Sequence, residues 1–154
     1  MEPNQHTDLI RNLIAAVEKR IPEYLAVEAD QQLNGGNCAL CIVDEAGGVY
    51  GKMFGTDKIR QRQCFRVAWT KASQVWITGY KTGEYETLVF TGQVDEKSFG
   101  IIRPDFIGWI GGQPLAVDAR TKLSVGFSGF RGTSDLEIVQ KAVADVDGFV
   151  GKGK

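Results

Sequence analysis

The side chains in this sequence that could bind a metal or act as nucleophiles begin with three cysteines. Cys38 and Cys41 have the spacing of half a structural zinc site, but such a site needs about four ligands, and no second pair follows. On a strand, residues three apart point to opposite faces, so these two thiols could not reach one ion. We therefore predict that Cys38 and Cys41 are small core residues and that the chain carries no metal site.

The only histidine, His6, precedes the first helical pattern. Catalytic triads and most zinc or haem sites use histidine, so a chain with a single histidine is a poor candidate for these functions. Residues 126–130 resemble a nucleophile elbow, but Phe130 stands where that turn needs glycine. We expect no serine hydrolase, and we expect His6 to be exposed, with an axial-ligand role or a partner contact as the alternative.

A predicted helix over residues 57–76 carries five basic side chains: Lys58, Arg60, Arg62, Arg66 and Lys71. At helical spacing Lys58, Arg62 and Arg66 share a face, whereas Arg60 and Lys71 lie elsewhere. This pattern is typical of a solvated face, and it also suits a local site for carboxylates or phosphates. The formal net charge of −1 argues against a nucleic-acid partner.

Composition and the terminal residues further limit the class of protein and its location. The chain is 43% hydrophobic and 24% charged, as is typical of a globular domain. No apolar run is long enough to cross a bilayer, and the first residues lack the apolar stretch of a signal peptide. We expect a cytoplasmic protein without a membrane partner. We also expect one domain over residues 1–154, with mobile ends at 1–6 and 148–154.

Apolar periodicity predicts the order helix, hairpin, helix, strands, helix. The predicted helices cover residues 7–21, a short stretch after Pro22, 57–76 and 134–146. The predicted strands cover residues 38–43, 49–54, 85–90, 115–118 and 123–128. Residues 91–114 are rich in glycine and aromatic side chains and have no clear pattern. The order indicates an α/β (α+β) domain with three layers, α/β/α, around a central antiparallel sheet.

Local signals place the ends and faces of the first helices. Thr7 can cap the first helix, and Pro22 kinks or ends it. The short helix that follows should present Leu25, Ala29 and Leu33 on one face. The apolar side of the helix over residues 57–76 is predicted to hold Phe65, Ala68, Trp69, Ala72, Val75 and Trp76.

The last helix has the clearest signals. Ser134 and Glu137 have the spacing of a capping box, and Gly148 can end the helix. Its buried face is predicted to hold Leu136, Ile138, Val139, Ala142, Val143 and Val146. The segment at residues 129–134 offers backbone N–H groups and Arg131 to an anion, although Ser134 would satisfy part of that helix end itself.

Several short segments follow one another as they do in one known family. They are VDEAG at 43–47, KMFG at 52–55, KA at 71–72 with Gly79, Thr82 and Glu84, GGQPL at 111–115, VGFSG at 125–129, and Asp135, Glu137, Ile138 and Ala142. In order and spacing they resemble the GlcG/HbpS-like family, which includes the C-terminal domain of PduO. The resemblance covers residues 38–146.

This resemblance implies a profilin-like domain that assembles into symmetric homo-oligomers. It also makes haem a candidate cofactor, because characterised relatives bind haem through a histidine in the first helix. His6 lies ahead of the predicted first helix, so we expect any haem to bind weakly and without a first-helix histidine. Residues 22–37 are interpreted as an insertion, and the stretch between Met53 and Lys71 is longer than in the relatives.

A homo-oligomer also has a physical argument. Six large aromatic side chains are many for a domain of this size: Trp69, Trp76, Phe99, Phe106, Trp109 and Phe130. Exposed aromatic patches mark contact surfaces, and a two-fold axis would bury the same patch on both subunits. We expect at least a dimer, whose junction could hold the ligand. The alternative is that every ring packs inside one subunit.

Two functions follow from these observations and from the resemblance, and a plain scaffold is a third possibility. The first is a small-ligand-binding protein, resembling the haem-binding relatives, that holds an anionic ligand in a homo-oligomer. Its candidate ligand-binding residues are Met53, Arg60, Cys64, Lys71 and Tyr85. The second is a small cofactor-free enzyme, an isomerase, lyase or hydrolase, that acts on a carboxylate metabolite in a catabolic pathway. Its acid–base groups would come from Lys71, Tyr85, Glu86 and Asp105, and a carboxylate in that role needs a pKa raised by burial.

Overall fold

The elements of the fold come from a computed structural model, which describes residues 2–103, 105 and 107–150. The helices are α1 (Pro3–Leu25), α2 (Glu28–Asn34), α3 (Lys58–Thr78), α4 (Thr82–Phe90) and α5 (Gly132–Ala144). The strands are β1 (Cys38–Asp44), β2 (Val49–Phe54), β3 (Gly112–Ala116) and β4 (Lys122–Ser128). A 3₁₀ turn at Glu96–Phe99 lies between α4 and β3. No helix in the described residues combines the length and apolar character needed to cross a membrane.

The strands form an antiparallel sheet in the order β2-β1-β4-β3. Cys41 of β1 lies opposite Gly51 of β2 on one side and Gly126 of β4 on the other. Every residue of β1 is buried, because α1 and α5 cover one face of the sheet and α3 covers the other. This confirms the predicted α/β/α domain with a central antiparallel sheet.

The two cysteines of β1 lie on opposite faces of the sheet. Cys38 packs in the core with α1 and α5, and Cys41 packs in the core with α3. Both thiols are free and buried. The prediction that they are core residues is therefore confirmed. In the part of the chain that the structure describes, no three histidine, cysteine or acidic side chains are placed to hold a metal ion.

The helix predicted over residues 57–76 is confirmed as α3. The Asp57 carboxylate caps its start by accepting hydrogen bonds from N–H groups of the first turn, and Gly79 ends it with a φ of 79°. Gly126 of β4 lies directly beneath it, and a side chain there would collide with the carbonyl of Ala68. The close approach of helix and sheet therefore depends on glycine in β4.

The buried face of α3 differs from the predicted one. Trp69 and Trp76 were predicted on its apolar side, but they are 42% and 46% exposed. Lys71 and Gln74 are buried instead. Both polar side chains reach hydrogen-bond partners on neighbouring segments, which offsets the cost of removing them from water.

The start of α1 lies earlier in the chain than predicted. The helix begins at Pro3 with Glu2, rather than Thr7, as its capping residue. Residues 3–6, which were expected to belong to a mobile end, form its first turn, and His6 is part of this helix. The statement that the first helix lacks a histidine is therefore wrong. The side chain of His6 contacts the β1–β2 turn, a tertiary contact that periodicity does not reveal.

Pro22 does not end α1, which continues to Leu25. A proline inside a helix removes one backbone hydrogen bond. Ile21 and Tyr24, on either side of it, are buried in the core, and their packing outweighs this loss. Leu25 itself is 37% exposed and lies at the end of α1 rather than on the helix that follows.

Residues 85–90 were predicted to be a strand and instead form most of helix α4, so that prediction is wrong. Thr82 and Tyr85, three residues apart, are both buried on its inner side. The ring of Tyr85 packs between Tyr80 and Phe99. Contacts with neighbouring segments thus decide the conformation of this apolar stretch.

The helix α2 begins at Glu28, later than predicted, whereas α5 lies close to its predicted position, and the side chains of both helices face differently from the prediction. Leu33 of α2 is 50% exposed, and the buried residue of this helix is Asp30. In α5, Ser134 does not cap the helix, because the helix begins earlier, at Gly132, and the Ser134 hydroxyl instead donates to Asp30. Leu136 and Val143 are only partly buried, whereas the other residues of the predicted stripe are buried.

Candidate functional site

A cleft of about 550 Å³ lies between the end of β4, the start of α5 and residues 108–110. Its walls include Leu33 and Asn34 of α2, Trp109, Ile110 and the glycine-rich turn at residues 128–132. Lys71 and Asp135 also line it. The cleft combines apolar walls with a few polar groups, which is typical of a small-molecule site.

The lysine and the aspartate form a buried pair. Lys71 Nζ donates to Asp135 Oδ2 at 3.2 Å and to the carbonyl oxygen of Phe127 at 2.8 Å. Lys71 is 1% exposed and Asp135 is 3% exposed. Gly111, with a φ of +133°, gives the ammonium room, since a Cβ at this position would lie 2.6 Å from Nζ. The pair links α3 to the first turn of α5 around the end of β4.

Burial shifts the pKa values of both groups towards their uncharged forms. Loss of water raises the pKa of Asp135 to about 7, although Lys71 and the N–H of Phe130 favour the carboxylate. Loss of water also lowers the pKa of Lys71, against the opposing effect of Asp135. The structure thus has a buried carboxylate with a pKa near neutrality, as the enzyme hypothesis requires.

A second carboxylate, Asp30, forms hydrogen bonds with residues at the start of α5. Asp30 of α2 accepts hydrogen bonds from the backbone N–H and guanidinium of Arg131 and from the Ser134 hydroxyl. Burial favours its neutral form, but these bonds hold the pKa of Asp30 below its usual range. The N-terminus of α5, expected to attract an external anion, therefore contacts two carboxylates of the chain itself, Asp30 and Asp135.

Tertiary hydrogen bonds hold the aromatic rim of the cleft. Thr82 donates to the carbonyl of Trp109 at 2.6 Å, and the amide of Gln74 bonds both the N–H and the carbonyl of Ile107. The side chain of Trp109 nevertheless remains 65% exposed, and Ile110 is 39% exposed. The rim thus presents apolar side chains on a fixed backbone.

The structure places the five predicted ligand-binding residues in different surroundings. Lys71 lies in the cleft, and Cys64 lies on the same buried side of α3, with its thiol donating to the carbonyl of Asn37. Burial raises the pKa of Cys64 to about 11. Tyr85 is buried on α4, and burial raises its pKa.

The other two predicted residues are exposed. Arg60 lies on the first turn of α3, and Met53 lies on β2 with 49% of its surface exposed. Of the five residues, only Lys71 lines the cleft. Asp135 was not among the predicted site residues. Its only signal in the sequence was its place in the last family motif, which does not reveal that it meets Lys71.

Haem does not fit the donors of this cleft. A haem iron takes an axial ligand from histidine, cysteine, methionine or tyrosine. None of these is among the described residues that line the cleft. His6 lies elsewhere, at the β1–β2 turn, where its Nε2 is 3.1 Å from Asp44 Oδ2.

A second, shallower groove of about 390 Å³ runs between α1 and β2. Ile10, Ile14 and Tyr50 form its apolar surface, and Arg11 and Lys52 add positive charge. The hydroxyl of Tyr50 donates to Asp44, the carboxylate that also contacts His6. The groove therefore combines apolar surface, one tyrosine oxygen and two cations, of which Lys52 pairs with Glu18 in the groove and Arg11 pairs with Asp8.

The sequence matches no protein-family model and no curated protein. Solved structures share its fold. PduOC, solved as a complex with haem, is 20% identical over 94% of this chain and 95% of its own, with a TM-score of 0.68. Klebsiella pneumoniae protein ORFY is 21% identical over 88% of this chain and 85% of its own, with a TM-score of 0.64. HbpS is 16% identical over 86% of this chain and 87% of its own, with a TM-score of 0.51. The GlcG/HbpS-like resemblance is thus confirmed at the level of the fold.

Proposed function

We propose that this chain is a small-ligand-binding protein that holds an anionic ligand in the cleft above Lys71 and Asp135. The observation that supports it most is the position of this buried titratable pair in a cleft with apolar walls. Titratable pairs with shifted pKa values in clefts are a physical mark of functional sites.

The charges around the cleft favour an anion. The carboxylate of Asp30 is buried behind the turn, with a side chain that is 1% exposed, whereas the side chain of Arg131 is 51% exposed. A ligand in the cleft therefore faces the cationic side of this ion pair. Trp109, Ile110 and Leu33 provide apolar surface for the rest of the ligand.

The proposed site would be part of a homo-oligomer. Trp69, Trp76 and Ile77 form an exposed apolar patch on the outer side of α3, and each is more than 40% exposed. Phe130 is not available for such a contact, because it is buried and stacks on Tyr24. Phe106 lies outside the described residues. A second copy on the patch would bury these rings.

Charge substitutions at Ile110 test the binding proposal. Calorimetric titration with small carboxylates, such as lactate and benzoate, should give at least ten-fold weaker binding to Ile110→Glu than to the wild type. Ile110→Lys should bind at least as tightly as the wild type, because a cation at the rim attracts the same ligands. Ile59→Glu is the matched control, since Ile59 is 72% exposed and does not line the cleft. Equal binding by Ile110→Glu and Ile110→Lys would contradict the proposal.

Haem is the second candidate ligand, and the groove between α1 and β2 is the place proposed for it. Its apolar surface suits a porphyrin, and Arg11 and Lys52 could exchange their partners Asp8 and Glu18 for the two propionates. We expect weak binding through Tyr50, because Tyr50 lines the groove and His6 does not, and because the Tyr50 hydroxyl must first give up its hydrogen bond to Asp44. Haem titration followed by absorption spectroscopy should show a Soret change that Tyr50→Phe reduces and His6→Ala leaves in place. Tight binding that disappears in His6→Ala would contradict this assignment.

A further inference from the structure

We propose that Lys71 forms a Schiff base with a small 2-oxo acid in the cleft, with Asp135 as the group that exchanges protons with the reacting atoms. This inference rests on the proposed anion-binding function and names its substrate class. Ligand binding alone does not require a buried titratable pair. The inference assigns a reaction to that pair.

The geometry around Nζ suits a nucleophilic amine. A neutral amine has two N–H groups and one lone pair. Nζ has two hydrogen-bond acceptors, the Phe127 carbonyl at 2.8 Å and Asp135 Oδ2 at 3.2 Å. In the neutral pair, protonated Asp135 donates to the Nζ lone pair, and the lone pair becomes free for a carbonyl carbon when that proton turns to the carbonyl oxygen of the entering ligand. The missing side chain at Gly111 keeps the surroundings of Nζ uncrowded.

The pair can reach this reactive form without exchanging protons with solvent. One proton moved from Nζ to Asp135 converts the ion pair into a neutral amine and a neutral acid. Burial favours that state at both groups, since it lowers the pKa of Lys71 and raises that of Asp135. Two groups on neighbouring elements also act on the pair. A Cys64 thiolate would favour the ammonium form of Lys71, and the Asp30 carboxylate favours the neutral form of Asp135. Desolvated lysines of this kind are the ones that form Schiff bases.

The reaction balances with the groups present. The Nζ lone pair attacks the carbonyl carbon, and Asp135 gives its proton to the carbonyl oxygen as the C–N bond forms. The nitrogen then returns one proton to Asp135, which delivers it to the departing hydroxyl. Water leaves, the second N–H proton is released to Asp135 or water, and an imine remains. The reaction needs no oxidant or reductant.

A 2-oxo acid fits the groups around Nζ. Its carbonyl is the electrophile that a neutral amine needs, and the adjacent carboxylate can face the half-exposed guanidinium of Arg131. Its remaining substituent would lie against Trp109 and Ile110. Aldehydes without a carboxylate should react more slowly, because they lack the group that Arg131 attracts.

Borohydride trapping tests the covalent step. The full chain is incubated with pyruvate or phenylpyruvate, reduced with sodium cyanoborohydride, and examined by intact mass and peptide mapping. We expect one reduced adduct at Lys71, although Lys58 and Lys81 are far more exposed. Lys71→Arg keeps a cation at this position and should give no such adduct. Adducts at exposed lysines with an unmodified Lys71 would overturn the proposal.

Asp135→Asn tests the role of the aspartate. The variant keeps the shape of the side chain and loses the exchangeable proton, so the adduct should still form at Lys71 but at least ten-fold more slowly. An unchanged rate would remove Asp135 from the reaction. Circular dichroism melts of Lys71→Arg and Asp135→Asn establish that the variants are folded.

Calorimetry with lactate separates this inference from the proposed function. Lactate has the carboxylate but no carbonyl to attack. Lactate binding that Ile110→Glu weakens, combined with an untrapped Lys71, would leave the binding function in place and refute the Schiff base. Failure of both lactate binding and trapping would refute both.

Discussion

At the residue scale, two carboxylates at similar positions in the fold have different pKa values because their surroundings differ. Asp30 and Asp135 both contact the start of α5 and are both almost fully buried. Asp30 has a guanidinium, a backbone N–H and a hydroxyl as partners, which favour the carboxylate. Asp135 lies deeper in the pair with Lys71, where burial dominates and favours the neutral acid. The two carboxylates therefore make opposite contributions to stability as the pH changes.

The pKa of Asp135 predicts how stability changes between about pH 4 and pH 7. In this range the unfolded chain has an ionised Asp135, whereas the folded chain keeps the proton. With Lys71 still protonated, folding then takes up a proton, so raising the pH lowers the free energy of unfolding. Denaturant titrations should show the wild type losing stability relative to Asp135→Asn as the pH rises from about 4 to about 7. A constant difference over this range would mean that the pair takes up no net proton on folding, either because Asp135 is ionised in the folded state or because its proton comes from Lys71.

For Asp30 the sign is reversed, because its pKa is lowered in the folded state. Its stabilising effect is present above the unfolded pKa of about 4 and is lost as the pH falls through the folded value. Asp30→Asn should reduce the free energy of unfolding by about 1.5–3 kcal/mol at pH 7, the range for hydrogen bonds to charged groups. The difference from the wild type should shrink at low pH. Asp8→Asn, at an exposed ion pair, is the control.

At the element scale, α1 and α5 form one layer over the sheet, and each is attached at several points. α5 contributes Ile138, Val139 and Ala142 to the core, and Arg20 of α1 forms an ion pair with Asp145 just after α5. The start of α1 is attached separately, through His6 and Asp44. These attachments add to the core packing that holds the two helices on the sheet.

Substitutions in α5 test its orientation. Ile138 is fully buried, so Ile138→Ala should reduce the free energy of unfolding by about 2–5 kcal/mol. Leu136→Ala should cost clearly less, because Leu136 is only partly buried. Chemical denaturation of both variants measures the difference. Equal costs would mean that the helix is rotated from the orientation described.

The contact between His6 and Asp44 holds the first turns of α1 on the β1–β2 hairpin. Loss of one such hydrogen bond costs about 1 kcal/mol. His6→Ala should therefore speed amide hydrogen exchange about five-fold in residues 7–10, while exchange in α5 stays unchanged. Asn12→Ala, at an exposed position on the same helix, is the matched control. Unchanged exchange in His6→Ala would show that the contact does not hold the helix.

At the scale of the whole molecule, the distribution of apolar surface predicts self-association. The patch of Trp69, Trp76 and Ile77 is exposed on α3, while smaller residues of the same helix fill the core. Sedimentation should give at least the mass of a dimer, and Trp76→Glu should shift the population towards the single chain. Ile59→Glu, on the first turn of α3, should leave the mass unchanged. A single-chain mass over a wide concentration range would refute the oligomer.

Much of the fold can be predicted from the sequence by itself. Periodicity predicts β1, β4, α3 and α5, because these elements have apolar faces that must be buried, whereas the mostly exposed β2 is predicted as the returning strand of a hairpin. The opposite orientation of Cys38 and Cys41 follows from the two-residue repeat of a strand. Ordered short motifs also indicate the fold that PduOC and ORFY share.

Only the tertiary structure decides the features that depend on contacts between distant residues. The stretch at residues 85–90 is apolar enough for a strand or a helix, and Tyr80 and Phe99 make it a helix by surrounding Tyr85. Lys71 belongs to a basic segment in the sequence, and 64 positions along the chain separate it from Asp135. Periodicity reports which face of an element is apolar, but it does not report which distant residue pairs with a buried polar side chain. The candidate site is made of such partners, and so only the folded chain defines it.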